Sequence, residues 1–91
     1  MQDKINFYKN QELDVKNEVF LNYNEQNIQA EKIEFVNTKF NNCKIINANF
    51  IEASFTNVEF INCDFSNTKF IENTFIRCEF NNCKLSGCDM A

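Results

Sequence analysis

The stretch Phe35-Val36-Asn37-Thr38-Lys39-Phe40-Asn41-Asn42-Cys43-Lys44-Ile45-Ile46-Asn47-Ala48-Asn49-Phe50 puts a large apolar residue at every fifth position. The spacing continues through Phe55, Phe60, Phe65, Phe70, Phe75 and Phe80 to Leu85 and Met90. A helix of about 3.6 residues per turn cannot hold a five-residue repeat on one face, and neither can a two-residue strand alternation. The chain must therefore turn on a coil whose length is a multiple of five. A second lattice runs two residues ahead of the first: Ile33, Thr38, Cys43, Ala48, Ala53, Val58, Cys63, Thr68, Asn73, Cys78, Cys83 and Cys88. Most of these side chains are small. In an extended backbone, residues i and i−2 point the same way, so each unit offers one bulky and one small group to a shared interior. The remaining positions are mostly polar and read as the outer surface.

If four units make one square turn, residues 20 apart stack directly. The expected internal ladders are Phe35/Phe55/Phe75, Phe40/Phe60/Phe80, Ile45/Phe65/Leu85 and Phe50/Phe70/Met90. Turns about 4.8 Å apart would let rings overlap along each column while backbone amides bond between turns. Residues 31–91 are thus an all-β solenoid of about three regular turns. Residues 1–30 are less regular. Leu13, Val15, Phe20, Tyr23, Ile28 and Ala30 follow the two lattices, whereas Phe7, Val19, Leu21 and the charged Glu18 and Glu25 read as departures. We expect a degenerate first turn from about residue 13, preceded by an arm or short strand that caps the end, because an open solenoid end exposes backbone and apolar side chains. The repeat is still in phase at Cys88 and Met90, so Leu85, Cys88 and Met90 form an open edge suited to pairing with a second copy.

Composition narrows the function. The net charge is −4, from 13 acidic and 9 basic residues that alternate along the chain. No basic patch favours direct nucleic-acid binding. No apolar run is long enough to span a membrane, and the N-terminus lacks the apolar core of a signal peptide, which makes a cytoplasmic location the expectation. All five Cys lie on the small inward lattice and read as core residues. There is no His, no Cys pair at zinc-finger spacing, no nucleophile–His set and no Gly-rich phosphate loop, so neither an enzyme nor a cofactor or metal is expected. Asn73 places an amide at an inward position, where it needs a partner; its replacement by Ala is expected to be neutral or stabilising.

Units such as Ile45-Ile46-Asn47-Ala48-Asn49-Phe50, Phe60-Ile61-Asn62-Cys63-Asp64-Phe65 and Phe80-Asn81-Asn82-Cys83-Lys84-Leu85 resemble the pentapeptide-repeat family. The resemblance implies a right-handed quadrilateral β-helix. Within that family, the Phe-rich and Cys-rich run from Phe60 to Cys83 looks most like the N-terminal half of Qnr-type quinolone-resistance proteins. These bind DNA gyrase or topoisomerase IV as a DNA mimic and protect the enzyme from quinolones. The resemblance implies a half-length or truncated form of such a protein, with DNA gyrase or topoisomerase IV as partner, and the open C-terminal edge adds the expectation of a homodimer.

A mimic of duplex DNA needs negative charge arranged along a rod. The candidates are Glu52 and Glu72, stacked on one outer face beside Ile51 and Ile71, and Glu59 and Glu79 on another. The competing expectation is a structural or protein-interaction scaffold for another partner, with Asn ladders such as Asn42/Asn62/Asn82 supplying polar contacts.

Overall fold

Most five-residue units fold as a three-residue strand and a corner, in a computed structural model that describes residues 1–91. At every corner one backbone residue adopts φ between +50° and +71°, from Glu12 at intervals of five to Asn82 and finally Gly87. This left-handed region is unfavourable for most L-residues and is tolerated best by Gly and Asn. Asn accordingly fills ten of the fifteen non-glycine corners. The sequence reading assigned these Asn to the surface, where they lie; their recurrence also reflects turn chemistry, which that reading did not use.

The strands are β1 (Val15–Lys16), β2 (Val19–Leu21), β3 (Asn24–Gln26) and β4 (Gln29–Glu31) in the first coil. The second coil holds β5 (Glu34–Val36), β6 (Lys39–Asn41), β7 (Lys44–Ile46) and β8 (Asn49–Ile51). Then come β9 (Ser54–Thr56), β10 (Glu59–Ile61) and β11 (Lys69–Ile71), and last β12 (Thr74–Ile76) and β13 (Glu79–Asn81). They pair in parallel as four walls, ordered β1-β5-β9-β12, β2-β6-β10-β13, β3-β7 and β4-β8-β11. Single bridges Lys44↔Asp64↔Lys84 and Lys69↔Asp89 extend the last two walls. Register is 20 residues throughout, as in Phe35↔Phe55 and Phe40↔Phe60. The result is the four-sided β-helix that the five-residue period predicts.

Its interior is made of stacked rings. Phe20, Phe40, Phe60 and Phe80 lie at successive centroid separations of 5.0, 5.0 and 4.5 Å, with planes within 16°. Phe35/Phe55/Phe75 stack at 4.9 Å per step and Phe50/Phe70 at 5.3 Å. Phe35 to Phe70 are fully buried, and burial of each such ring contributes roughly 1.5–3 kcal/mol. Phe75 and Phe80 are only half-buried, because no coil covers them; Leu85 and Met90 are exposed at the same end.

The small lattice has a second job. Thr38 Oγ1 lies 3.1 Å from the Val36 carbonyl and 3.4 Å from that of Val15, Thr68 Oγ1 donates to Ile45 at 3.1 Å, and the Cys43, Cys63 and Cys83 thiols to Phe20, Phe40 and Phe60 at 3.2–3.3 Å. Small donors bridge carbonyls of successive coils where the backbone turns. Asn73 does the same with Nδ2, which reaches the Phe50 and Ile71 carbonyls at 2.7 Å each, while its buried Oδ1 has no partner.

The N-terminal region corrects the sequence reading in three respects. The expected arm or short strand is a helix, α1 (Gln2–Asn10). Met1, Ile5 and Tyr8 share one face at helical spacing, and Asp3 and Lys9 suit the two ends of the helix dipole. Leu13, expected inside, is 56% exposed. Glu18 and Glu25, read as departures, occupy inward lattice positions: Glu25 pairs in register with Ile45, and both are partly buried beneath α1.

Candidate functional site

The outer surface of a four-sided rod consists of walls and corners, and here three corners are alike. Asn22/Asn42/Asn62/Asn82 form one column, in which Asn42 Nδ2 donates to Asn22 Oδ1 and Asn82 Nδ2 to Asn62 Oδ1, both at 2.7 Å. A second corner holds Asn27, Asn47 and Asn67, with Asn47 Nδ2 donating to Asn27 Oδ1 at 2.8 Å. A third holds Asn17, Asn37 and Asn57, closed by Arg77 Nε donating to Asn57 Oδ1 at 2.7 Å. Neighbouring amides are thus bonded pairwise in the first two ladders, and in the third the bond comes from Arg77.

The fourth corner contains no Asn. Its left-handed residues are Glu12, Lys32, Glu52 and Glu72, and Glu52 and Glu72 are exposed. Asp14, Glu31 and Glu34 lie beside the column in sequence and are also exposed. Six carboxylates thus run along one edge of the rod, with Lys32 interleaved. Ile51 and Ile71, paired in register and half-buried, line the adjoining wall. Sequence reasoning found Glu52 and Glu72 but missed Glu12, Asp14, Glu31 and Glu34, because their place depends on where the first coil joins the corner.

The other candidate pair is more nearly neutral. Glu59 and Glu79 stack in register with Lys39, and Lys39 Nζ stands 3.6 Å from Glu59 Oε1. Asp64 lies between Lys44 and Lys84 in its wall; hydrogen bonds from Ser66, helped by those lysines, hold its carboxyl below the usual range. An open groove of about 450 Å³ runs over the Cys43/Cys63/Cys83 column. The five cysteines are free, but their sulfurs turn inward to carbonyls. The contact between the Cys43 and Cys63 thiols, with burial, pushes Cys63 up, while the same contact lowers Cys43 to about 7. At the C-terminal edge, Leu85 and Met90 are exposed and Cys88 is half-buried, with its thiol donating to Phe65 at 2.9 Å.

The pentapeptide-repeats model matches residues 33–70 and 62–90, in eight copies. The chain belongs to the pentapeptide-repeat family. The matched segments include every regular coil of this pentapeptide-repeat protein after the first. A comparison with curated proteins finds no match. No helix of the protein is long and apolar enough to cross a membrane.

Proposed function

We propose that this pentapeptide-repeat protein is a non-enzymatic interaction rod whose acidic corner, centred on Glu52 and Glu72, seats in a basic channel of a protein partner. The candidate partner is DNA gyrase or topoisomerase IV, from the resemblance of the repeats to Qnr-type proteins, and the consequence would be protection from quinolones in the cytoplasm. The observation that carries the reading is the single corner that holds no Asn and carries a charged residue in every coil. Carboxylates repeated at the coil pitch along a straight edge present a linear anionic array, which steers encounter with a cationic groove. The four coils span only about 20 Å at the strand spacing, so pairing of two copies through Leu85, Cys88 and Met90 would lengthen the rod.

The alternative scaffold reading relied on Asn ladders as adaptable contacts. Their mutual hydrogen bonds leave them less free for that role. The test combines a pull-down using gyrase and topoisomerase IV subunits with gyrase supercoiling in the presence of a quinolone. The protein is expected to retain a subunit and preserve supercoiling, and the Glu52→Lys, Glu72→Lys variant to do neither while melting at a similar temperature. Failure of the unsubstituted chain to bind either enzyme would return the protein to the scaffold class.

A further inference from the structure

The two ends of the rod differ in a way that the interaction surface does not explain. At the C-terminal end, Phe75 and Phe80 are half-covered and Leu85 and Met90 exposed, so the last coil presents the same columns that every inner coil buries. At the N-terminal end, the first coil offers Val15, Phe20 and Ala30 in three of these columns but Glu25 in the fourth. One coil further on, that column carries Ile45. The small lattice shows a parallel exchange, with Glu18 standing where the next coil has Thr38.

Both carboxylates are engaged by α1. The Met1 α-ammonium pairs with Glu25 Oε1, and the Gln2 amide donates to Glu25 Oε2 at 3.2 Å. Lys4 Nζ lies 2.8 Å from Glu18 Oε1, and the Tyr8 hydroxyl donates to Glu18 Oε2. Lys4 also stands over the Phe20 ring at 5.7 Å, and Ile5 is buried. A cap needs only apolar cover and hydrogen-bond partners for the strand ends. Placing two acids at inward positions goes further, since an incoming apolar coil would have to desolvate them without partners.

We infer that Glu18 and Glu25, together with α1, block head-to-tail stacking of this chain on itself. The excluded occupant of the N-terminal face is the C-terminal coil of a second copy. Its columns repeat the 20-residue register, so Phe80 would fall on Phe20 and Leu85 on Glu25. Such a contact is heterologous and does not close, so it would run on into filaments, whereas pairing of two C-terminal edges stops at two copies. If the helix lifts, the exposed carboxylates still repel the wrong partner. The inference stands apart from the proposed enzyme partner.

The test uses two full-length variants. Ile5→Asp displaces α1 and leaves both acids in place. The triple variant Ile5→Asp, Glu18→Thr, Glu25→Ile also installs the residues that the next coil carries. Light scattering over a concentration series is expected to show no growth beyond two copies for Ile5→Asp and masses that keep rising for the triple variant. At a dilution where light scattering shows neither variant growing beyond two copies, the triple variant is also expected to melt at a higher temperature than Ile5→Asp, which separates the effect of the acids on the fold from their effect on assembly. Equal growth of the two variants, an absence of growth in the triple variant, or a lower melting temperature for it would overturn the inference.

Discussion

At Glu52 the backbone φ is +52°, a conformation that the other corners mostly assign to Asn. The left-handed region costs an ordinary L-residue about 1–2 kcal/mol, and Asn recovers part of that through local hydrogen bonding. Glu52→Asn is therefore expected to stabilise the fold by about 0.5–1 kcal/mol while weakening partner binding, a divergence that denaturant melts and a pull-down would expose. A loss of stability would mean that the carboxylate makes a favourable contact of its own. Asn73 poses the converse problem. Its two Nδ2 bonds match those of the cysteines and threonines on the same lattice, but its Oδ1 is orphaned. The expectation from sequence that Asn73→Ala would be harmless must now be weighed against the loss of both bonds. Asn73→Cys keeps a donor toward the two carbonyls and deletes the orphan, so it is expected to gain about 1 kcal/mol over the parent, measured as a shift in denaturation midpoint.

At the scale of elements, α1 is held to the first coil by the buried Met1 and Ile5 and also by ionised groups, and the latter make it the pH-sensitive part of the molecule. Hydrogen bonds from Lys4 and Tyr8 hold the Glu18 carboxyl below its usual range. Burial pushes Glu25 up, but the α-ammonium and the Gln2 amide outweigh it and leave that carboxyl lowered as well. Carboxyls depressed by folding contribute stability that is present above their unfolded values and lost as pH falls through the folded ones. Protection of residues 2–10 against amide exchange, taken relative to the intrinsic rate at each pH, is expected to fall on acidification through the carboxylate range, before that of residues 35–70. Glu18→Gln is expected to flatten the dependence; an unchanged pH profile would remove Glu18 from the anchor. This element was also the least legible from sequence. A five-residue period dictates stacking wherever it is strict, so the walls, registers and Phe columns could be read directly. The period has nothing to say about Met1 to Asn10, where the helical spacing of Met1, Ile5 and Tyr8 is short enough to pass as irregular. Glu18 and Glu25 looked like defects because their partners lie on a neighbouring element.

Taken whole, the molecule is a one-dimensional stack measuring 33 × 24 × 21 Å, in which each coil is supported only by its neighbours. The candidate corner was half legible for the same reason. Glu52 and Glu72 follow from a 20-residue step inside the regular coils, whereas Glu12 and Asp14 join the edge only once the first coil is placed. Within residues 1–91, a coil with neighbours on both sides should be more stable than one with a neighbour on a single side. Phe60 is packed between Phe40 and Phe80 at 5.0 and 4.5 Å, whereas Phe80 has a stacked ring on one side alone and is half-buried. Truncating a fully buried Phe to Ala costs about 3–5 kcal/mol, so Phe60→Ala is expected to fall in that range and Phe80→Ala to cost about half as much. Amide exchange should rank the coils in the same order, fastest at residues 74–89. Equal penalties at the two positions would mean that the last coil is covered in solution, and a mass measurement on the same sample would then show whether a second copy covers it.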